Sequence, residues 1–81
     1  MQTTVHFYSY FKELTGTDSA SEEVPEGSSI DQLHQRLVTR FPKLGPMRKS
    51  TLIAVGVEYQ GRDYVLKAGD EVSLFPPVQG G

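Results

Sequence analysis

Three residue types decide what chemistry this chain can carry: histidine, cysteine and the glycine pair Gly80-Gly81. There is no cysteine, so a disulfide, a thiolate metal site and a cysteine nucleophile are excluded. His6 and His34 are the two histidines, and they show no ligand spacing such as His-x-x-x-His. They are expected at the surface. Serines are plentiful, yet none sits in a nucleophile elbow. Glu22, Glu23 and Glu26 read as a solvated acidic edge, and Asp70 as a turn residue before the last strand. Nothing here assembles a self-contained catalytic centre.

Gly80-Gly81 is different. At ~7% glycine usage such a terminal pair arises by chance in roughly one chain in 200, so it asks for a cause. A carboxylate on Gly81 has no side chain near it, and glycine permits close backbone approach. The expectation is that this carboxylate is the functional group, activated and modified by partner enzymes. Pro76 and Pro77 fix φ and bias the base of the tail toward an extended form. Residues 76–81 extended span roughly 20 Å, enough to reach a buried site in a partner. A side chain at position 80 or 81 would crowd such a channel.

A domain over residues 1–75 must position that tail. Thr3 to Tyr10 alternates, with Val5, Phe7 and Ser9 on one face and Thr4, His6, Tyr8 and Tyr10 on the other, and predicts a strand. Phe11 to Gly16 predicts a short helical turn ended by glycine. Ser19 to Val24 is a weakly marked strand before the turn Pro25-Glu26-Gly27. Ser29 with Gln32 forms a capping box. Ile30, Leu33, Leu37, Val38 and Phe41 then recur at helical spacing, up to Pro42. Lys43 to Ser50 predicts a loop. Thr51 to Val57 predicts a central strand buried on both faces, with Gly56 loosening it or marking a bulge. A turn at Gln60-Gly61, a short strand over Asp63 to Leu66 and a turn at Ala68-Gly69-Asp70 follow. Glu71 to Phe75 is the last strand, stopped by the prolines.

One long helix covering one face of a mixed sheet of four to five strands is an α+β arrangement. The first and last strands are expected side by side, so that the tail leaves from the sheet's end. Phe75 alternates with Val72 and Leu74 and should face away from the helix. With Phe7 and Tyr59 it is expected to form an apolar patch that docks a partner, joined by the tail residues Pro76, Pro77, Val78 and Gln79.

The 81 residues suit one small domain. A net charge of −2 and scattered Lys and Arg argue against nucleic acid. No apolar run approaches a membrane span and no signal peptide is visible, so a cytoplasmic location is expected.

Gly69-Asp70-Glu71-Val72 and Phe75-Pro76-Pro77-Val78-Gln79-Gly80-Gly81, with Val5-His6-Phe7-Tyr8 and Phe11-Lys12-Glu13-Leu14-Thr15-Gly16, carry a family resemblance. The chain resembles the ubiquitin-like β-grasp sulfur carriers of MoaD/ThiS type, in particular molybdopterin synthase small subunits. The resemblance implies that a ubiquitin-activating-like enzyme uses ATP to adenylate Gly81, which is then converted to a thiocarboxylate. It implies sulfur delivery to a cyclic pyranopterin inside the large subunit, in a heterotetramer that uses two small subunits for the two dithiolene sulfurs. No cofactor is implied for this chain itself. The family often has Asn where this chain has Gly56. Alternatives stay open: a sulfur carrier for thiamine thiazole, tRNA thiolation or a tungsten cofactor, a protein modifier forming isopeptide bonds, or an interaction module whose tail does no chemistry.

Overall fold

The alternation at the N-terminus produces β1 (Gln2–Phe7), with Thr3, Val5 and Phe7 buried. The computed structural model describes residues 1–77. Val78, Gln79, Gly80 and Gly81, and the expectations placed on them, lie outside the described residues. β1 ends earlier than expected because Ser9 adopts φ 58 and turns the chain. The carbonyls of Tyr8 and Ser9 then accept from the amides of Phe11 and Lys12, both at 3.1 Å. These bonds open α1 (Phe11–Thr15), which buries Phe11 and stops at Gly16, left-handed at φ 77. The returning strand β2 (Ser19–Glu23) pairs antiparallel with β1 and sets Ser19 opposite His6.

The capping box forms as expected at the start of α2 (Ile30–Arg40). The Gln32 amide donates to Ser29 Oγ at 3.2 Å, and the Ser29 amide donates to Gln32 Oε1 at 2.9 Å. Loop carbonyls satisfy the next two orphan donors: the Ile30 amide donates to Tyr64 O at 2.9 Å and the Asp31 amide to Arg62 O at 3.0 Å. Ile30, Leu33 and Leu37 are buried against Val5, Phe7, Val72 and Leu74. Each such side chain contributes about 1.5–3 kcal/mol through burial.

Lys43 to Ser50, expected as a loop, instead belong to a 3₁₀-helix over Pro42–Ser50. Proline at its first turn suits helical φ, and the tight winding delivers Leu44 into the core at 1% exposure. The remaining strands are β3 (Leu52–Val55), β4 (Glu58–Tyr59) and β5 (Glu71–Phe75). Sheet order is β2-β1-β5-β3-β4, with β1 and β5 parallel and the other pairs antiparallel. The α+β architecture and the adjacency of first and last strands are as expected.

The segment after the 3₁₀-helix differs from expectation. β3 is shorter than residues 51–57, is not the central strand, and is not buried on both faces, since Leu52 is exposed. Gly56 lies in neither a strand interior nor a bulge. Val55 pairs with Glu58, so Gly56-Val57 is the two-residue hairpin loop, with Gly56 at φ 61. The hairpin turn therefore falls before Gln60-Gly61, and a further turn starts at Gly61, whose carbonyl accepts from the Tyr64 amide at 3.1 Å. Residues 63–66 form no strand, because their one ladder contact is a bridge from Val65 to Ser29, while Leu66 packs into the core.

Candidate functional site

Strand parity builds the site. Val72 and Leu74 of β5 face α2, so Glu71, Ser73 and Phe75 face the open side of the sheet. Phe75 is the last strand residue before Pro76, and Leu52 lies opposite it on β3. The Tyr8 amide donates to Leu74 O at 3.2 Å and carries the ladder one residue beyond β1. Tyr8 therefore lies beside Phe75, with the rings stacked at 4.7 Å and 11°. Tyr59 of β4 meets Phe75 edge-on at 6.2 Å and 68°. Each aromatic pair adds about 0.5–1.5 kcal/mol beyond area burial. These side chains still show outward surface: Tyr8 is 40% exposed, Tyr59 69% and the neighbouring Leu52 38%.

A groove of about 390 Å³ runs along this patch, lined by Ser9, Tyr10, Leu52, Tyr59, Phe75, Pro76 and Pro77. The patch is thus continuous with the first tail residues. Phe75, Tyr59, Pro76 and Pro77 are brought together as expected. Phe7 is not. It is 1% exposed, pairs in register with Leu74, and packs edge-on to Phe41 at 5.6 Å. One residue of strand register moves a side chain to the opposite face, so Phe7 belongs to the core and Tyr8 occupies the patch. The alternation of β1 already placed Tyr8 on that open face.

His6, on the open face, makes a 2.9 Å contact from Nε2 to Glu71 Oε1. His34, expected at the surface, is instead 1% exposed. Its position four residues after Ile30 put it on the apolar stripe of α2, and that was the signal for its burial. Arg62 Nη1 lies 3.0 Å from His34 Nδ1. A guanidinium only donates, so Nδ1 is the acceptor and the imidazole proton is on Nε2. Burial first, then the charges of Arg62 and Arg48, push His34 down from 6.5 to about 4, against the opposing pull of Asp31.

Asp70 serves its turn as expected, accepting from the Lys67 amide at 2.8 Å and from the Tyr64 hydroxyl at 3.1 Å. Glu22 is less solvated than expected, because Arg40 reaches it at 3.2 Å. Among the described residues no group of three or more His, Cys, Asp or Glu is placed to hold a metal. A polar hollow of about 480 Å³ lies between the Gly56-Val57 turn and residues 67–71, at the opposite end of β5 from the patch. No helix among the described residues is long and apolar enough to cross a membrane.

The model of the ThiS family matches residues 5–81. The chain belongs to the ThiS family. One curated relative is the molybdopterin synthase sulfur carrier subunit of Homo sapiens, 34% identical over 99% of this chain and 94% of that protein. The fold of this ThiS-family chain is also that of SAMP1 from Haloferax volcanii, with TM-score 0.89, 21% identity and full coverage of both chains. A third likeness is to a chain in the complex of subunits 1 and 2 of the molybdopterin-converting factor from Helicobacter pylori. There the TM-score is 0.70 with 22% identity, again over the whole of both chains. These two structures show the ubiquitin-like β-grasp fold.

Proposed function

We propose that this chain is the sulfur-carrier small subunit of molybdopterin synthase, with the carboxyl group of Gly81 as the carrier. The observation that carries the reading is the aromatic patch of Tyr8, Tyr59 and Phe75 at the point where β5 passes into Pro76-Pro77. In a ThiS-family chain, a docking surface at the root of a Gly-Gly tail lets a partner hold the domain while it receives the tail.

In this reading an activating enzyme first adenylates the Gly81 carboxylate with ATP, because a carboxylate lacks a good leaving group. Sulfide-level sulfur from a donor then attacks the acyl carbon and displaces AMP, leaving a thiocarboxylate. The large subunit then docks the patch, accepts the tail and directs the sulfur at a cyclic pyranopterin. Glycine at positions 80 and 81 keeps side chains out of that channel, and the partner's walls provide orientation. The carrier binds no cofactor of its own, and nucleic acid has no part in the cycle. The human relative's name and the Helicobacter pylori subunit complex support this assignment.

The test is single-turnover reconstitution. Thiocarboxylated protein, a molybdopterin synthase large subunit and cyclic pyranopterin should yield dithiolene, one sulfur per carrier. Omitting the large subunit, or deleting Gly81 before loading, should yield none. A loaded carrier that supports thiazole synthesis or tRNA thiolation but never dithiolene formation would replace the assignment with a sister pathway. Isopeptide conjugates to lysine, with no sulfur at Gly81, would make the chain a modifier.

A further inference from the structure

The hairpin of β3 and β4 supplies two of the patch residues, Leu52 and Tyr59, yet it is poorly held by its own ladder. β4 is two residues long and pairs only with β3, through Ala54–Tyr59 and Val55–Glu58. Its loop is the exposed Gly56-Val57 turn. Short edge strands of this kind open readily unless something outside the ladder fixes them.

Arg62, three residues beyond Tyr59, reaches across the base of this hairpin. Its Nη1 donates to Asp31 Oδ1 at 3.4 Å and to His34 Nδ1 at 3.0 Å, and its Nη2 donates to the carbonyl of Arg48. Arg48 lies just before β3, and its own guanidinium contacts the same Asp31 oxygen at 2.5 Å. One side chain thus ties the segment entering the hairpin to the segment leaving it, and both to α2. The Arg62 carbonyl adds a fourth tie by accepting the Asp31 amide at 3.0 Å. His34 stays a neutral acceptor for Arg62 because burial and the two arginines disfavour its proton. The planar fork of arginine fits three acceptors at fixed angles. A lysine cannot reproduce that arrangement.

We propose that Arg62 is a positioning residue for the docking surface. It closes the base of the β3–β4 hairpin against α2 and so presets Tyr59 beside Phe75 before a partner arrives, while Leu52 is held there by the β3–β5 ladder. Arg62 acts through Tyr59. Preorganisation of this kind lowers the ordering cost of binding. The proposal rests on the reading of the patch as the large-subunit docking surface.

The test is a double-mutant cycle in the full chain, with calorimetric affinity for the large subunit as the readout. Tyr59→Ala should weaken binding about 30-fold, the scale of an interfacial aromatic. Arg62→Met should weaken it about 10-fold. The double variant should lose about 30-fold and no more, because the clamp has no effect once its ring is gone. Arg62→Lys should recover less than half of the loss. Multiplicative losses near 300-fold, or normal affinity in Arg62→Met beside a weakened Tyr59→Ala, overturn the proposal while leaving the docking surface intact. Normal affinity in Tyr59→Ala overturns the docking reading and the proposal with it. Should Arg62→Met melt below assay temperature, Asp31→Asn removes the carboxylate shared by both arginines and enters the same cycle with the same expectations.

Discussion

Acid should weaken this domain through His34. Above pH 6.5 the imidazole is neutral in both the folded and unfolded states. Below that value the unfolded chain takes up a proton, whereas the folded chain resists it until about pH 4. Over that window the unfolded state binds more protons, so stability falls as pH falls. The stabilisation is complete above 6.5 and its loss is complete near 4. The gap corresponds to about 3 kcal/mol, against roughly 5–10 kcal/mol for a whole small domain. With a urea slope near 1 kcal/mol/M, the midpoint should drop by about 3 M across the window. The control is His34→Gln, whose amide oxygen can still accept from Arg62 but does not titrate. Urea melts of both proteins at half-unit pH steps isolate the histidine by difference. If the two midpoints fall in parallel, His34 is not the titrating group and its burial between Arg48 and Arg62 has no linkage consequence.

The other expectations use the two faces of the sheet and the hairpin turn. Phe7→Ala should cost about 3–5 kcal/mol of folding stability in denaturant melts, as core aromatics do. Tyr8→Ala should cost about 1 kcal/mol of stability and instead weaken large-subunit binding by about tenfold or more in calorimetry. Gly56→Ala should cost about 1 kcal/mol at φ 61, while Gly56→Asn should cost less, because Asn tolerates left-handed backbone. Deleting Gly81 should abolish thiocarboxylate formation by intact mass and leave the melting temperature unchanged.

Much of the fold was legible because its signals are local. The capping box at Ser29, the glycine stop at Gly16 and the alternation over residues 71–75 each act within a few residues. The site was half legible. Phe75 could be placed by parity, and the same parity excluded Phe7 in favour of Tyr8, whereas Tyr59 was joined to the patch without a strand to place it. The family's Asn at the position of Gly56 also becomes intelligible, since both residues accept a positive φ, which the sequence alone assigned to a strand. The 3₁₀-helix was not legible, because two prolines and a glycine in nine residues read equally well as loop. Nor was the clamp around Arg62. His34 carried a periodic signal that its polar type masked, and its partners come from segments distant in sequence, joined only when the sheet closes.

The parallel pairing of β1 with β5 also orders events during synthesis. The middle of the sheet is made from the two ends of the chain, with Val5 beside Val72 and Phe7 beside Leu74. The β1–β2 pairing and α2 form from nearby residues, but contacts between distant segments carry the largest loop-closure entropy and come late. A chain halted before residue 71 has no centre strand and leaves the core half of α2 uncovered. Tyr8 then has no Phe75 to stack on. The aromatic patch therefore forms only on chains translated as far as the base of the tail, and under the proposed function a partner that selects the patch would pass over interrupted products without inspecting the carboxyl end.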